Sequence, residues 1–259
     1  MTGLSGGVRA GVAAAGALAL SALGGPMRLA AQNAGPLAQP QSARASAPID
    51  LTGYWVAFVT EDWRFRMVTP VKGDYQGVPL TPEARKVADA WDPAAAAAGN
   101  ACKPYGAAAI MRVPGRLHIT WQDDTTLRID TDAGMQTRLF HFGPAPAAPG
   151  PRSWQGYSAA QWERPAPARG TPPSGGALSV VTTNMRAGYL RRNGVPYSEN
   201  AVLKEYFDVA PLPGSGQLLL VTAVVEDPLY LLQPFIVSSQ FKKEADGSRW
   251  DPIPCDARW

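Results

Sequence analysis

Short apolar runs and alternating apolar and polar positions dominate the chain from residue 54 onward. Turns rich in Gly, Pro and Asp separate these runs, which is the pattern of antiparallel β-strands. The predicted strands span about residues 54–60, 63–69, 116–122, 126–131, 135–142, 177–185, 202–209, 218–226 and 235–243. Nine short strands with hairpin-length gaps predict an all-β domain, built as a closed barrel or as a sandwich.

One helix and one long loop interrupt the strand pattern. Thr81 is a suitable N-cap, Pro82 suits the first helical position, and apolar residues then recur at helical spacing as far as Trp91. The Asp-Pro pair that follows is expected to end this short helix. We predict a loop or a short turn for the alanine run at 94–98. The segment 143–176 is crowded with Pro, Gly and Ser, which predicts a long loop.

Residues 1–31 have the composition of a cleaved secretory signal peptide. Arg9 precedes an apolar stretch at about 11–25, and small residues end the segment. The apolar stretch is shorter than the roughly 20 residues that span a bilayer, although retention as an anchor stays open. Residues 32–48 are small and polar, which predicts a disordered linker. We therefore expect a periplasmic or secreted protein with one domain at 49–259 and no membrane span after cleavage.

Charge argues against nucleic acid as a partner. The whole chain carries +3, but Arg9 and Arg28 lie in the predicted signal peptide and no acidic residue does, so the mature chain carries +1. A near-neutral chain lacks the basic surplus that binding to a phosphate backbone needs. The sequence also lacks a phosphate loop and a serine elbow, because Gly175-Gly176 opens a strand and no glycine closes the elbow around Ser158. We expect no cofactor.

The chain contains two cysteines, Cys102 and Cys255. An exported chain folds in an oxidising compartment, and two cysteines pair in only one way, so we expect a disulfide between them. This bond would tie the C-terminus to the early part of the domain. Two free thiols or a redox pair are the alternative, although the Cys-x-x-Cys spacing typical of redox pairs is absent from the sequence.

The two histidines are the first residues to consider as metal ligands. If the strands around them form a meander, His118 lies opposite Asp130 and His141 lies opposite Thr126. The histidines are then two strands apart and out of step along the strands. At about 3.4 Å per residue and about 4.8 Å per strand, they are too far apart to share an ion. We therefore predict no metal site.

A Gly-x-Trp tripeptide, Gly53-Tyr54-Trp55, stands at the head of the first predicted strand. This tripeptide, its position and the meander behind it resemble the lipocalin and calycin-like barrels. The resemblance implies an antiparallel closed β-barrel in which Trp55 plugs one end and a small ligand occupies the interior.

A second resemblance, to uncharacterised exported bacterial proteins, covers most of the mature chain. The similar segments lie at residues 111–116, 155–158, 192–199 and 226–228. This resemblance implies export and assigns no activity.

Glu205 is the candidate catalytic residue. It shares one strand face with Leu203 and Phe207, so a carboxyl group lies on the more apolar face of its strand. A carboxyl group in such surroundings must be neutralised, paired or hydrogen-bonded, and a buried carboxyl group is suited to proton transfer. The structural alternative is an ion pair with one of three arginines: Arg138, Arg191 or Arg192.

A basic and aromatic edge is expected around the turn at residues 193–194. Tyr189 and Arg191 precede this turn and Glu199 follows it. These side chains form either a binding edge or a hairpin tip whose charges are simply solvated.

Two further residues are candidates for ligand binding. Glu226 ends a predicted strand, where a turn is one interpretation. The other is a contact across neighbouring strands with an arginine or with Glu205, and a carboxylate pair in a cavity could divide acid and base roles. Trp121 ends another strand and is the candidate aromatic contact.

The expected function is binding of a small apolar or aromatic molecule inside an exported lipocalin-like barrel, since a barrel of about eight strands encloses one small ligand. A first alternative is a cofactor-free lyase, isomerase or hydratase in which Glu205 is the acid or base and Arg191 or Tyr189 stabilises developing charge. A second is a carbohydrate-binding or envelope interaction module with aromatic rings flat on an exposed sheet face. The sequence leaves the choice between carrier and enzyme open.

Overall fold

The computed structural model describes residues 41–144, 150–166, 175–214 and 216–256. The chain from Pro40 onward forms one compact unit. The predicted signal peptide and the linker up to residue 40 lie outside the described residues. The rest of the predicted linker packs on the domain, because the Trp162 indole N–H donates to the Ala43 carbonyl at 2.8 Å and the Arg44 N–H donates to the Asp124 carbonyl at 3.1 Å.

Nine strands of the described chain form a closed barrel, which confirms the barrel prediction. In chain order, the strands are β1 (Gly53–Ala57), β2 (Arg116–Trp121), β3 (Thr126–Thr131), β4 (Ala133–Gly134), β5 (Thr137–Phe142), β6 (Tyr157–Glu163), β7 (Ala177–Thr183), β8 (Gly188–Arg191), β9 (Val195–Tyr197), β10 (Val202–Pro211), β11 (Gln217–Glu226), β12 (Phe235–Lys243) and β13 (Ile253–Pro254). Around the barrel the order is β1-β12-β11-β10-β7-β6-β5-β3-β2. Outside it, β8 pairs with β9 and β4 pairs with β13.

The barrel is mixed, so the prediction of a purely antiparallel barrel was wrong. β5 and β6 run parallel, whereas the other neighbouring pairs are antiparallel. Strand directions cannot alternate all the way round a ring of nine, because an odd ring needs at least one parallel pair. A parallel pair needs a long connection rather than a tight hairpin, and β6 begins well after β5 ends, at Tyr157 rather than directly after Phe142.

The strand predicted at 63–69 is a helix instead, α1 (Trp63–Met67). A short alternation of aromatic and basic side chains fits one helical turn as well as it fits a strand. Tertiary contacts decide between the two: Arg66 is buried and donates to Glu61 at 2.7 Å and to the Arg112 carbonyl at 3.0 Å. Arg66 therefore lies on the buried side of α1.

The ninth barrel strand is β6, which lies within the segment that we predicted to be a long loop. Its inward positions include Ser158 and Ala160, which are buried but small. The apolar alternation that identifies a strand is therefore weak there. Thr182 on β7 lies opposite Ser158, and their hydroxyl oxygens are 2.7 Å apart.

The described chain has four α-helices rather than the single one predicted: α1, α2 (Pro82–Asp89), α3 (Pro93–Asn100) and α4 (Ala107–Ile110), with a 3₁₀ turn at Lys103–Tyr105. α2 is the predicted helix, and the Thr81 hydroxyl caps it by accepting from the Ala84 N–H at 3.2 Å. α3 replaces the predicted loop. Its Asp92 carboxylate accepts from the Ala94 N–H at 2.9 Å, so the Asp-Pro pair begins a helix, whereas α2 has already ended at Asp89.

The inward side chains of the barrel form one hydrophobic core. It includes the fully buried Trp55, Ile119, Phe140, Phe207 and Phe241. The Trp55 indole N–H donates to the Leu51 carbonyl at 2.9 Å, and the Lys243 ammonium lies 4.3 Å from its ring centre.

A second core closes one end of the barrel. Apolar residues of α2, α4, β8 and β9 pack there against inward residues of β10, β11 and β12, among them Leu203 and Val225. Tyr197 is fully buried in this second core. Its ring occupies the space beside Gly106 and Gly188, where an added Cβ would lie 2.1 Å and 2.5 Å from the Tyr197 hydroxyl oxygen. Neither glycine could therefore be replaced without moving Tyr197.

Cys102 and Cys255 form the predicted disulfide, with their Cα atoms 5.1 Å apart. The bond joins the segment before the 3₁₀ turn to the segment after β13. The C-terminal segment is thereby held against the outside of the barrel, where β13 pairs with β4.

Candidate functional site

Glu205 lies inside the barrel wall and is fully paired. Its two carboxylate oxygens accept from the two terminal guanidinium nitrogens of Arg138, at 2.9 Å and 2.5 Å. Both side chains are almost completely buried, and Thr182 accepts a further hydrogen bond from Arg138 at 3.4 Å. The Arg138 guanidinium also lies 4.8 Å from the ring centre of Phe140. The structure therefore shows Glu205 in the structural ion pair that was the alternative to a catalytic role.

A group of arginines forms a narrow cleft between α1, the segment around α4 and β8. The cleft is lined by Phe65, Arg66, Arg112, Leu190, Arg191 and Arg192, among others, and we call it the arginine cleft. Arg66, Arg112 and Arg191 are only 2%, 6% and 5% exposed, so three guanidinium groups are withdrawn from water beside one another.

Carboxylates neutralise two of these three arginines. Glu61 accepts from Arg66 at 2.7 Å, and Asp62 accepts from Arg112 at 3.0 Å. Arg191 donates instead to the neutral carbonyl of Gln76 at 2.7 Å and makes no ion pair with a described residue. The three guanidinium groups and two carboxylates therefore leave a surplus of positive charge in a poorly solvated place.

Each of the three arginines also has one buried nitrogen without a hydrogen-bond partner among the described residues: Arg66 Nη2, Arg112 Nη1 and Arg191 Nε. Buried polar groups in proteins are nearly always hydrogen-bonded, so three such donors around one cleft are unusual. Burial lowers the pKa values of Arg66 and Arg112, and burial together with the charge of Arg112 lowers the pKa of Arg191 to about 10. An anion in the cleft would relieve both the unused donors and the repulsion.

Aromatic rings flank the surplus charge. The Arg191 guanidinium lies 3.9 Å from the ring centre of Phe65 and 6.0 Å from that of Phe235. Phe65 is half-buried and lines the arginine cleft, whereas Phe235 is buried. The lining of the cleft thus combines buried guanidinium groups with a partly exposed aromatic ring.

The sequence-predicted binding residues do not all converge on this cleft. Arg191 lies in it. Tyr189 is half-buried on β8, where burial raises its pKa and the Lys103 ammonium lies 5.3 Å from its ring centre. Glu199 is exposed, and its carboxylate lies 3.4 Å from Arg152. Glu226 pairs with Lys204 at 2.7 Å.

Glu226 and Glu205 do not form the carboxylate pair that we considered. Glu205 is opposite Ala223, which faces the interior, whereas Glu226 is opposite Val202 near the end of β11. Side chains an odd number of positions apart point to opposite faces of a strand, so the two carboxylates lie on opposite sides of the barrel wall.

Trp121 lies at the opposite end of the barrel from the second core. Its ring centre is 5.6 Å from that of Phe142 and 6.4 Å from that of Trp162. The segment 41–49 covers this cluster, since Trp162 donates to Ala43 and Ile49 packs against the core there. Trp121 therefore belongs to the aromatic cluster that closes this end of the barrel, and it does not line the arginine cleft.

Arg66 and Arg112 are site residues that the sequence patterns did not indicate. Arg66 lies in the segment that we predicted to be a strand, and Arg112 lies in a segment without periodicity. The composition carries one general signal for buried arginines, since 18 of the 24 basic residues are arginine. Arginine is the cation that proteins favour for buried and oxyanion-binding positions.

A second, wider cleft lies on the outer face of the barrel under the C-terminal segment. It measures about 350 Å³ and is lined by His118, Asp130, Met135, Thr137, Trp250 and Pro252, among others; we call it the outer-face cleft. Tyr54, His118, Asp130 and Thr137 are successive cross-strand partners and so form one row across β1, β2, β3 and β5.

The row is aromatic at one end and ionic at the other. The Tyr54 and His118 rings stack with centres 4.1 Å apart, and Trp250 stands edge-on to them. Asp130 accepts from Arg128 at 2.7 Å and from Thr137 at 2.5 Å. Burial raises the pKa of Asp130, but these hydrogen bonds outweigh burial and lower it overall, so the carboxylate stays ionised.

The histidine registers are those that the sequence predicted, with His118 opposite Asp130 and His141 opposite Thr126. The described residues contain no group of three or more His, Cys, Asp or Glu side chains placed to hold a metal ion. His141 instead stacks on Tyr157, with ring centres 5.1 Å apart.

Comparisons with protein-family models, with curated proteins and with solved structures give no match to this chain. The lipocalin resemblance therefore stays a prediction that rests on the Gly-x-Trp tripeptide and the barrel. Within the ranges that the structure covers, no helix has the length and apolar character needed to cross a membrane.

Proposed function

We propose that the protein is an exported binding protein that holds the carboxylate or phosphate group of a small apolar or aromatic molecule in the arginine cleft. The observation that carries this proposal is the convergence of three buried arginines, each with an unused donor: Arg66, Arg112 and Arg191. Arginine suits this task because its fixed donors match the oxygens of carboxylate and phosphate groups.

The size of the arginine cleft defines which part of a ligand enters it. Its volume is about 20 Å³, which is room for about one water-sized group. One or two oxygens of an anionic group would therefore enter, while the body of the molecule stays outside against the half-buried ring of Phe65. A ligand with an anionic head and an apolar or aromatic body fits this arrangement.

The energetics favour such a ligand. An unpaired buried donor costs about 1–3 kcal/mol, and more when it belongs to a charged group. A hydrogen bond to a charged group contributes roughly 1.5–3 kcal/mol. These nitrogens have almost no accessible surface, so the guanidinium groups would turn towards an oxyanion that accepts from two or three of them. Such an oxyanion would recover the cost, whereas a neutral apolar molecule would leave it in place.

Packing of the barrel supports binding at the arginine cleft rather than in the interior. The inward side chains of all nine barrel strands contribute to the core, and Arg138 and Glu205 add a polar layer to it. For the same reason the alternative of a lyase, isomerase or hydratase has little support, since the Glu205 carboxylate is 1% exposed and both its oxygens are occupied. The disulfide supports export, because such bonds persist in oxidising compartments.

Arg191→Gln is expected to weaken binding of phenyl phosphate by about 10- to 100-fold, because it removes one charge-assisted donor worth roughly 1.5–3 kcal/mol. Isothermal titration calorimetry at fixed ionic strength measures the effect. Arg186→Gln is the matched control, since Arg186 is exposed, stacks on Trp154 and changes the net charge equally. Equal weakening by both substitutions, or equal binding of neutral phenol, would refute the proposal.

A second candidate function is glycan binding in the outer-face cleft. The specific observation is the combination of Trp250 with the stacked Tyr54–His118 pair beside the ionised Asp130. Sugar rings present apolar C–H faces that pack on aromatic rings and hydroxyl groups that hydrogen-bond to carboxylates. This combination favours the envelope interaction module among the alternatives.

Trp250→Ala is expected to weaken binding of soluble envelope glycans by at least about tenfold, because it removes the aromatic wall of the outer-face cleft. Affinity gel electrophoresis in the presence of the glycan measures the loss of retardation. Trp154→Ala is the control, since Trp154 stacks on Arg186 and is not among the residues that line the cleft. Glycan binding that survives Trp250→Ala would rule out this second function.

A further inference from the structure

The short helix α1 buries a charged side chain and exposes apolar ones, unlike an ordinary surface helix. Its buried residue is Arg66, whereas Trp63 is 63% exposed and Met67 is 55% exposed. A helix on a soluble protein normally turns its apolar side chains inward and its charged ones to water. The reversal places the cation at the arginine cleft and two large apolar side chains on the surface beside it.

Exposed apolar side chains are concentrated around this helix. Seven of the twelve large apolar side chains exposed in the described ranges lie in two segments: Trp63, Met67, Val68 and Val71 in one, and Leu229, Leu232 and Ile236 in the other. We call these seven residues the apolar face. Single exposed apolar residues are normal, but a concentration of this kind marks an interaction surface.

The two segments approach each other beside Arg191, and the arginine cleft borders the first of them. The Arg191 guanidinium lies 3.9 Å from the ring centre of Phe65, on α1, and 6.0 Å from that of the buried Phe235, whose neighbour Ile236 points to the opposite, outer face of β12. Further along, the Leu232 N–H donates to the Pro79 carbonyl at 2.8 Å, and Asn193 donates to the Val71 carbonyl at 3.1 Å. Exposed apolar side chains of α1 and the residues after it therefore lie beside the arginine cleft, and those of the second segment lie nearby.

We infer that this face docks on an anionic lipid surface, with a lipid phosphate in the arginine cleft and the apolar face in the headgroup and upper acyl region. The inference rests on the proposed function and names its ligand as the anionic head of a membrane lipid. Tryptophan and other apolar side chains beside cations are typical of proteins that lie in the membrane interface. The exposed Lys72 adds positive charge to the same segment, whereas Arg64 is paired with Asp74.

The positive charge of the arginine cleft favours an anionic lipid surface over a second copy of the chain as the partner of the apolar face. A two-fold dimer brings the same patch of both subunits together. Two arginine clefts with surplus positive charge would then face each other, and like charges across an interface oppose association. An anionic lipid surface complements the cleft and the apolar face at once.

The experiment is sedimentation of the purified protein with vesicles of phosphatidylcholine and phosphatidylglycerol in equal parts, with pure phosphatidylcholine vesicles for comparison. The protein is expected to bind the anionic vesicles at least about tenfold more tightly than the neutral ones. The double variant Met67→Ser/Leu232→Ser should reduce anionic vesicle binding by at least about tenfold and leave phenyl phosphate binding unchanged. Arg191→Gln should reduce both.

The matched control is Met135→Ser/Ile253→Ser, which removes a methionine and an aliphatic residue of similar exposure outside the apolar face. This control should bind vesicles like the unmodified protein. Phenyl phosphate binding without any vesicle binding would overturn the lipid inference alone, and absence of both would overturn the proposed function as well. Equal loss in both double variants, or a dimer in analytical ultracentrifugation that only Met67→Ser/Leu232→Ser dissociates, would also overturn the lipid inference.

Discussion

Replacing both cysteines, as Cys102→Ser with Cys255→Ser, is expected to lower the free energy of unfolding by about 5 kcal/mol. The two cysteines are 153 positions apart, and the chain-entropy account of disulfides predicts a large effect for so long a loop. Urea unfolding followed by tryptophan fluorescence measures the change. A loss of this size approaches the whole stability of many domains of this kind.

The disulfide also holds the C-terminal segment that covers the outer-face cleft. Trp250 and Pro252 come shortly before Cys255, and β13 pairs with β4 through only two residues. The double serine variant should therefore expose Trp250 to iodide quenching before the barrel unfolds. The reduced unmodified protein is the control and should behave like the variant. An unfolding free energy unchanged to within about 0.5 kcal/mol would show that the bond contributes little.

Glu205→Gln is expected to destabilise the protein by about 3–5 kcal/mol, because it leaves the Arg138 charge buried without its carboxylate partner. Both side chains are almost completely excluded from solvent, so water cannot take the place of the carboxylate. Chemical denaturation of the variant and of the unmodified protein measures the difference. A substitution that only removed a catalytic acid would leave the free energy of unfolding nearly unchanged.

The double variant Arg138→Met/Glu205→Leu is the control for this prediction. It removes both charges and fills the space with apolar side chains, so it should be less destabilised than Glu205→Gln. If the double variant were instead less stable than Glu205→Gln, the ion pair would contribute more to the free energy of unfolding than the neutralisation of two buried charges. Binding of phenyl phosphate should be unchanged in the folded fraction of both variants, because the pair does not line the arginine cleft.

The sequence predicted most of the barrel, because the relevant strands alternate large apolar residues with polar ones. In β10 and β11, for example, buried residues alternate with more exposed ones. β6 was not predicted, because its inward residues Ser158 and Ala160 are small and make the apolar alternation weak. α1 was not predicted either, because Arg66 is stabilised by Glu61 and by the Arg112 carbonyl, and such distant contacts leave no local pattern.

The candidate site was harder to predict than the fold. Sequence reasoning identified Arg191 as a binding residue and Arg138 as one possible partner of Glu205. It did not bring Arg66 and Arg112 to the same place, because these residues are 46 positions apart and meet only when α1 packs on the segment around α4. Convergence of that kind is a tertiary property.

Anomalous diffraction from crystals soaked in selenate is the measurement that tests the anion site most directly. We expect a selenium peak at the mouth of the arginine cleft, with oxygens within hydrogen-bond distance of Arg66 Nη2, Arg112 Nη1 and Arg191 Nε, and no peak there in Arg191→Gln crystals. Selenate bound only elsewhere on the molecule, or a peak at the cleft that persists in the Arg191→Gln crystals, would contradict the assignment of these three arginines as the anion site.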